Sequence, residues 1–289
     1  MPVPSVPSSP AAPIPHILPG QTRSALLHAG NSHPLSTAFP AADAQVITPE
    51  IHHPDYVPFL LDYCRRHAIA LLIPLLDLDL PLLAAHQKDF QSIGTFVLTA
   101  SPSVVATCRD KWRTHTLLLE NGLPALPTFL SPDHALHAIA NGHAHYPLLL
   151  KPRWGMGSQL HHWVQTEDEL RILHRKIQID LHNSDLRHPS TQDTAHSVLI
   201  QGKAPGAEYS LDVLGDLNGG FVGVFAKRKL AIRAGETDAA LTCRLPALDA
   251  LGRELSRLLP TPGCMDVDVF LDRRIPYIVD VNPRFGGAY

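Results

Sequence analysis

The first half of the chain alternates between helical and strand-like patterns of apolar residues. Apolar and aromatic residues recur every three to four positions over residues 54–67, which predicts a helix. Residues 69–75 form an unbroken apolar run, typical of a buried parallel strand. Further helices are expected over residues 80–90 and 102–109, and a strand over residues 95–99. Strands that alternate with helices predict an open parallel sheet, although residues 21–30 hold only a weak remnant of a first strand.

From residue 111 onward the pattern predicts a mixture of helices and antiparallel strands. The expected helices are residues 111–121, 131–141, 166–180 and 246–259, with Ser131 as an N-cap and Thr166 with Glu169 as a capping box. The expected strands are residues 125–129, 146–151, 160–164, 198–201, 208–214 and 221–226. Residues 181–196 are polar and irregular, which predicts an exposed loop. Residues 265–271 and 277–281 are expected to pair as a hairpin.

This last hairpin concentrates acidic and amide side chains. Asp280 and Asn282 are two positions apart on one strand and share a face, and Asp268 on the neighbouring strand can lie opposite them. Two carboxylates and an amide oxygen suit Mg²⁺, which completes its shell with phosphate oxygens and water. Arg284 follows the hairpin, and its planar guanidinium can donate two parallel hydrogen bonds to a phosphate or a carboxylate. A solvated surface turn is the alternative, but an acid between two valines on a core strand needs a partner.

A second candidate for ligand binding is Lys151, which ends an apolar strand just before the sequence PRWGMGS. A lysine in this position can place an ammonium group, and the loop its backbone N–H groups, around phosphates. The order differs from that of the Walker P-loop, in which the lysine follows the glycines. By itself the pattern fits a hairpin turn equally well.

Basic residues also end the predicted strand over residues 221–226. The run of Lys227, Arg228 and Lys229, with Arg233 beyond it, fits either a solvated face or an anion site.

Composition narrows the choice of function. The 289 residues are 18% charged with a net charge of −3, which excludes nucleic-acid binding through bulk charge. No apolar run approaches the roughly 20 residues of a membrane span. The four cysteines lack a CxxC pair, which excludes a disulfide scaffold and fits a reducing cytoplasm. The 18 histidines show no ligand pattern such as HExxH, so we interpret them as surface residues. Residues 1–20 are rich in proline and predict a flexible leader.

Taken in order, these elements resemble the ATP-grasp superfamily, and most closely its carbamoyl-phosphate-synthase-like carboxylate–amine ligases. The resemblance covers residues 51–289 and rests on HPDYVPFLLDYCRRHAIALLIPLLDLDLP with its acids Asp77 and Asp79, RDKWRTHTLLLENGLPALPTF, LLLKPRWGMGS, LIQGKAPGAEYSLDV and VDVNPRFGG. It implies an α/β and α+β protein, in which a Rossmann-like, pre-ATP-grasp parallel sheet precedes an ATP-grasp fold. The implied divisions are a leader (1–20), a pre-ATP-grasp domain with a degraded first strand (21–110), a lid subdomain (111–200) and an incomplete C-terminal subdomain (201–289).

The resemblance also implies roles for individual residues. Those that would contact the phosphates are Lys111, Lys151 and the lid loop from Trp154 through Gly155, Met156, Gly157 and Ser158. Those that would contact adenine and ribose are Gln201, Gly202, Lys203, Ala204 and Glu208. The implied magnesium ligands are Asp268, Asp280 and Asn282. Arg284, Arg233 and Lys227 would contact the transferred phosphate or the substrate.

The implied reaction joins a carboxylate to an amine through an acyl phosphate and releases ADP and phosphate. The reaction would use ATP with one or two Mg²⁺ ions, for which Mn²⁺ can substitute. The resemblance implies a cytoplasmic enzyme and leaves open whether it is a homodimer. The chain departs from the family pattern in four ways. Position 280 is Asp where Glu is usual, and position 202 is Gly where an acid is common. The first strand is degraded, and the chain ends just after FGG, which suggests truncation. Two alternatives therefore remain open: bicarbonate activation of the carbamoyl-phosphate-synthase or biotin-carboxylase type, and a non-catalytic nucleotide-binding subunit or remnant.

Overall fold

The computed structural model of the chain describes residues 25–184, 186–233 and 236–287. The predicted leader over residues 1–20 lies outside the described residues. The chain divides into two compact units, Met1–His67 and Ala68–Tyr289. None of the helices in the described ranges has the length and apolar character needed to cross a membrane.

The first unit contains a parallel strand pair and one long helix. Strand β1 (His28–Asn31) pairs in parallel with β2 (Ala44–Ile47), and helix α1 spans Tyr56–Arg66. The helical period places one face of α1 in the interior, as the sequence predicted, and its buried residues are Tyr56, Val57, Leu60 and Cys64. The first strand is therefore formed, contrary to the expectation that it is degraded. The sequence showed only a weak remnant because β1 is four residues long, with the sequence HAGN, and has no apolar run.

The second unit begins with short parallel strands and helices. Strand β3 (Leu71–Leu72) pairs in parallel with β4 (Phe96–Val97). The accompanying helices are α2 (Leu80–Ala85), α3 (Gln87–Ser92) and α4 (Pro102–Arg109).

Two predictions in this region are wrong. Residues 69–75 do not form a buried strand, since only two of them pair and Leu71, Ile73 and Leu75 are 44, 42 and 62% exposed. The sheet that contains β3 has two strands, too few to cover both faces of the apolar run. The expected single helix over residues 80–90 is interrupted at His86, where α2 ends and α3 begins.

A four-stranded antiparallel sheet follows, in the order β5-β8-β6-β7. Its strands are β5 (Thr128–Phe129), β6 (Leu148–Pro152), β7 (His162–Val164) and β8 (Val198–Gly202). The helices of this region are α5 (Lys111–Glu120), α6 (Pro132–Ala140), α7 (Glu167–His182) and α8 (Arg187–Ser190). Both predicted N-caps are confirmed, because the hydroxyl oxygens of Ser131 and Thr166 accept hydrogen bonds from the backbone N–H groups of His134 and Glu169. The predicted capping box is only half formed, since Glu169 Oε2 accepts from the Gln165 N–H and not from the Thr166 N–H.

The exposed loop expected over residues 181–196 is wrong for residues 181–184 and 186–190. Helix α7 continues to His182 and α8 follows, while Leu186 is only 1% exposed. Leu186 packs in the same apolar cluster as Ile177 and Leu181 of α7. Leu186 thus anchors the first part of the segment to the apolar cluster, whereas residues 191–196 have no helix or strand and are mostly exposed, as expected.

The remaining strands form a five-stranded antiparallel sheet in the order β11-β10-β9-β12-β13. They are β9 (Ala207–Gly215), β10 (Phe221–Arg233), β11 (Glu236–Cys243), β12 (Gly263–Asp272) and β13 (Ile275–Asn282), with helix α9 at Pro246–Leu258. The sequence predicted the β12–β13 hairpin but not β11, whose small and polar residues lack a clear strand period. Leucines of α9 share the largest apolar cluster with alternate residues of β9, β12 and β13. The opposite pleat of these strands carries the polar side chains.

Candidate functional site

A cleft of about 610 Å³ in the second unit is lined by residues from both antiparallel sheets. The four-stranded sheet contributes Leu149, Lys151 and the loop after β6, and the five-stranded sheet contributes its polar pleat. The N-terminus of α5, residues 75–77 and the segment after β13 complete the lining. The cleft therefore collects most of the residues for which the sequence predicted a ligand.

Strand alternation explains why acids line the cleft floor. In β12, Asp266 and Asp268 face the cleft, while Val267 between them is fully buried in the core. The register places Asp268 opposite Asp280 and Asp266 opposite Asn282. The prediction that Asp280 and Asn282 share a face, with Asp268 opposite, is confirmed.

Two lysines lie against Asp280. Lys111, the first residue of α5, donates hydrogen bonds to both carboxylate oxygens of Asp280, at 2.7 and 2.8 Å. Burial alone would raise the pKa of Asp280. The positive charges of Lys111 and of the second lysine, Lys151, outweigh burial and hold this pKa below its ordinary value. Lys151 is 1% exposed, and its Nζ lies 3.4 Å from the carbonyl oxygen of Val279. Burial and the neighbouring Lys111 lower the pKa of Lys151 to about 8.

A third lysine bridges two more acids. The Nζ of Lys229 lies 2.8 Å from Glu208 Oε1 and 2.7 Å from Asp268 Oδ1. Burial opposes the charge of Lys229, but the two carboxylates prevail and raise its pKa. Burial raises the pKa of Asp268, an effect that Lys229 counteracts. Cations and anions thus alternate across the cleft floor.

Arg284 provides the fourth cation of the cleft. Its guanidinium donates to both carboxylate oxygens of Asp77, with Nε–Oδ1 at 3.0 Å and Nη2–Oδ2 at 2.7 Å, and its Nη1 lies 3.6 Å from Asp266 Oδ2. The Ser210 hydroxyl donates to Asp266 Oδ1 at 3.0 Å. Burial and the nearby Asp268 raise the pKa of Asp266 to about 6. The sequence placed Asp266 on the hairpin but assigned it no role; its alternation with Asp268 was the signal that could have found it.

The loop after β6 is held at one end and open at the other. Trp154 is 6% exposed, and the guanidinium of Arg153 lies 4.5 Å from its ring centroid. A Cβ on Gly155 would stand 2.9 Å from the Cβ of Pro152, so the chain turns too tightly there for a side chain. Gly157 has a φ of +58°, in the left-handed region that favours glycine. Gly157 and Ser158 are exposed and line the cleft. The predicted movement of a lid therefore concerns residues 155–158 and not Trp154, and it stays a prediction.

The structure does not bring every predicted site residue to the cleft. The Lys227 ammonium pairs with Asp212 at 2.8 Å, and the exposed Arg233 pairs with Asp238. Neither basic residue lines the cleft.

The segment expected to meet adenine also lies beside the cleft lining and not in it. Gln201 is buried in β8 and its Nε2 donates to Thr128 Oγ1 at 3.2 Å, while the Gly202 N–H donates to the Pro127 carbonyl oxygen at 2.8 Å. Gln201, Gly202, Lys203 and Ala204 are absent from the lining. Their contact with a nucleotide stays a prediction.

Among the described histidines, His174 contradicts the predicted surface set because it is only 8% exposed, and His161 has an unexpected position. His161 keeps a solvent-exposed face but also lines the cleft. Partial burial and the ammonium groups of Lys151 and Lys111 lower its pKa to about 4. The ring is therefore neutral near pH 7. Sequence spacing gave no signal for this placement.

The acids of the cleft fit a metal that is bound together with phosphates. Within the described ranges, no group of three or more His, Cys, Asp or Glu side chains could hold a metal ion alone. Asp268, Asp280 and Asn282 offer two carboxylates and an amide on adjacent strands, which are hard oxygen donors suited to Mg²⁺. Both carboxylates are paired with lysines, so a cation there needs further ligands from a nucleotide.

Comparison with known families assigns the chain to a family. The ATP-grasp domain family matches residues 108–288, and the family described as PylC-like, N-terminal domain matches residues 21–98. The chain belongs to the ATP-grasp family. Members of the ATP-grasp family are ATP-dependent ligases, and the expected fold, with parallel strands near the N-terminus and antiparallel sheets in the body, is confirmed. No curated protein matches the sequence.

Several solved structures share the ATP-grasp fold at low sequence identity. A biotin carboxylase–β,γ-ATP complex from Campylobacter jejuni is 14% identical, with a TM-score of 0.66 over 90% of this chain and 59% of the other. The ADP complex of PurK, an N5-carboxyaminoimidazole ribonucleotide synthetase, is 13% identical, with a TM-score of 0.61 over 90% and 64%. An L-amino acid ligase from Bacillus licheniformis is 19% identical, with a TM-score of 0.57 over 86% and 57%. This chain thus spans less than two thirds of the length of each.

Proposed function

We propose that the chain binds Mg·ATP in the cleft and joins a substrate carboxylate to an amine. The observation that carries the proposal is the convergence of Lys111, Lys151, Lys229 and Arg284 on one cleft that also contains paired acids. A site that binds a polyphosphate needs fixed cationic side chains to neutralise the phosphates. It also needs carboxylate oxygens to bind the Mg²⁺ that accompanies the phosphates. Few other ligands require both in so small a volume.

The proposed reaction has two steps. An oxygen of the substrate carboxylate attacks the γ-phosphorus, the bond from that phosphorus to the β–γ bridging oxygen breaks, and ADP leaves. The amine nitrogen then attacks the acyl carbon of the acyl phosphate, phosphate leaves, and the amine loses a proton. No side-chain nucleophile is required, so the protein contributes position and charge.

The lysines of the cleft would hold the phosphates. Lys151 is nearly fully buried with a lowered pKa, so its ammonium group gains strongly from a phosphate partner. Lys111 would exchange its contact with Asp280 for a phosphate oxygen. Mg²⁺ held by Asp268, Asp280 and Asn282 would neutralise charge on the transferred phosphoryl group, with one or two ions present and Mn²⁺ as a substitute.

Arg284 and the loop over residues 155–158 would serve the transfer itself. Arg284 lies at the Asp77 end of the cleft, where its planar fork can also contact the transferred phosphate or the acyl substrate. The loop would close over the triphosphate and exclude water, which otherwise hydrolyses the acyl phosphate.

An ADP-release screen over amino acids and small carboxylic acids, with and without added amines, tests this function. Release that requires both a carboxylate and an amine supports it. An ¹⁸O-labelled carboxylate should deliver one ¹⁸O to the released phosphate, since that oxygen leaves in the acyl-phosphate step. Asp280→Asn should lower this release, and its matched control is Asp180→Asn, because Asp180 also pairs with a lysine, Lys176, but on the exposed face of α7.

Two results would contradict the proposed function in different ways. Stimulation of ADP release by bicarbonate alone would favour a biotin-carboxylase type of reaction. Binding of Mg·ATP without turnover across the screen would favour a non-catalytic nucleotide-binding protein.

A further inference from the structure

Arg153 is a buried charged residue directly behind the cleft that the proposed chemistry leaves unused. It follows β6, two positions after Lys151, and is 8% exposed. Its guanidinium donates to both oxygens of Asp110, with Nε–Oδ1 at 2.7 Å and Nη2–Oδ2 at 2.8 Å. A third donor, Nη1, reaches Asp193 Oδ2 at 3.2 Å. Three nitrogens of one side chain are thus committed to two carboxylates.

Besides pairing with Arg153, Asp110 is the N-cap of α5. Its Oδ1 accepts hydrogen bonds from the backbone N–H groups of Trp112 and Arg113, at 3.0 and 3.3 Å, which caps the helix. The first residue of that helix is Lys111. The orientation of the Asp110 carboxylate therefore sets where α5 begins and where the Lys111 side chain starts.

Backbone hydrogen bonds also join Arg153 to the start of α5 and to the residue before β8. The Lys111 N–H donates to the carbonyl oxygen of Arg153 at 3.2 Å, and the Arg153 N–H donates to the carbonyl oxygen of Ser197 at 2.8 Å. The second bond extends the ladder in which Lys151 pairs with Leu199 of β8. The strand that carries Lys151 and the helix that carries Lys111 are thus connected at Arg153.

We infer that Arg153 is a positioning residue that sets Lys111 against Lys151 for phosphate binding, an inference that rests on the proposed function. Arg153 does not line the cleft, so it acts through Asp110 and not on the nucleotide. A guanidinium suits this task because its rigid fork can engage two carboxylates in fixed directions, which an ammonium cannot. With Asp110 only 3% exposed, the pair is shielded from water and holds one geometry.

The test compares Arg153→Lys with Arg171→Lys. Lysine keeps a positive charge beside the buried Asp110 but loses the fork. Arg171 is the matched control, because it also bridges two carboxylates, Glu167 and Asp133, but on the exposed face of α7. We expect Arg153→Lys to raise the Kd for Mg·ADP and the KM for ATP by about ten- to 100-fold. Arg171→Lys should leave both unchanged.

Titration separates positioning from loss of folded protein. A purely structural defect lowers the number of binding sites and kcat while the Kd of the remaining sites stays at the wild-type value. Repositioning raises Kd at full stoichiometry. If Arg153→Lys fails to fold, Asp193→Asn removes only the outer contact of the guanidinium and should raise Kd by a smaller factor. An unchanged Kd in both variants overturns the inference.

A double-mutant cycle with Lys111→Met tests whether Arg153 acts through Lys111. We expect Arg153→Lys to raise Kd much less in the Lys111→Met background than in wild type, because the positioned group is gone. Multiplicative effects would overturn the inference. Wild-type protein that binds no adenine nucleotide overturns both this inference and the proposed function. Wild-type protein that binds nucleotide but releases no ADP overturns ligation alone, and the Kd values still decide the role of Arg153.

Discussion

At the scale of single residues, Lys151 combines near-complete burial with a long hydrogen bond of 3.4 Å to the Val279 carbonyl oxygen. A lysine ammonium in such surroundings is poorly solvated, which is the main reason that its pKa falls to about 8. A group held this way contributes little to folding and gains much from an anionic ligand. Lys151 is therefore the residue whose removal should separate nucleotide binding from stability.

We expect Lys151→Met to weaken Mg·ADP binding by about 1.5–3 kcal/mol, the range for a lost charged hydrogen bond, without lowering the unfolding midpoint at pH 7. A phosphate partner raises the pKa of the ammonium, so wild-type affinity should be highest below about pH 8 and fall as pH rises above it. Lys151→Met should lose this dependence. Calorimetric titrations between pH 7 and about pH 9.5 measure both effects, and equal affinities for the two proteins would remove Lys151 from the site.

Asp280 is the residue on which the metal prediction depends. Asp280→Asn keeps the side-chain shape but removes the charge that Lys111 now contacts, and we expect it to increase the Mg²⁺ concentration needed for nucleotide binding. The measurement is a Mg²⁺ titration at fixed ATP, read by nucleotide affinity and ADP release. Asp180→Asn, from an exposed Asp–Lys pair, should match wild type. Superimposable curves for Asp280→Asn and wild type would show that Asp280 is not a ligand.

At the scale of elements, the loop after β6 shows how local geometry limits movement. Its first residues are held by the buried Trp154 and by the close approach of Gly155 to Pro152, whereas Gly157 and Ser158 are exposed. Closure over a nucleotide would therefore bend the loop at its exposed end. The sequence analysis included Trp154 in the lid loop, because the burial of its side chain to 6% exposed results from packing that the local sequence does not show.

Gly155→Ala tests whether the turn of this loop matters for binding. The added Cβ would stand 2.9 Å from Pro152 Cβ, so the loop must shift away from its present path. We expect a several-fold rise in the Kd for Mg·ADP and a loss of the nucleotide-induced hydrogen-exchange protection over residues 156–159. The matched control is Gly223→Ala in β10, where a Cβ meets no atom within 4 Å. Protection of the loop that is equal with and without nucleotide in wild type would argue against a lid.

At the scale of the whole molecule, binding of Mg·ATP should be visible as stability. A ligand at 100 times its Kd that binds only the folded state adds about 2.7 kcal/mol to the free energy of unfolding. We expect the unfolding midpoint of the full chain to rise with a non-hydrolysable ATP analogue and Mg²⁺, and to rise less with either alone, because lysines now occupy both carboxylates. If the unfolding midpoint with the ATP analogue were the same with and without Mg²⁺, a metal shared between the protein and the phosphates would be contradicted.

Local patterns of apolar and polar residues were sufficient to predict most helices and strands and the acidic hairpin of the cleft. The hairpin and the shared face of Asp280 and Asn282 follow from strand alternation between residues close in sequence, whereas the register shift between Asp268 and Val269 does not. The helices α4 and α9 likewise follow from apolar periodicity and proline at their starts. Predictions failed where burial depends on what covers an element, as for residues 69–75 and for the segment around Leu186.

The charge pairs of the cleft required the folded chain. Lys111 meets Asp280 across 169 positions of sequence, and Arg284 meets Asp77 across 207. Neither spacing carries a periodic signal, because side-chain pairing over such separations is set by how the sheets and helices pack. The sequence therefore identified which residues have the chemistry to bind a nucleotide and a metal. Packing assigned each lysine its acid. It also placed Arg153, which lies in the PRWGMGS motif but had been given no role, where strand β6 meets the start of helix α5.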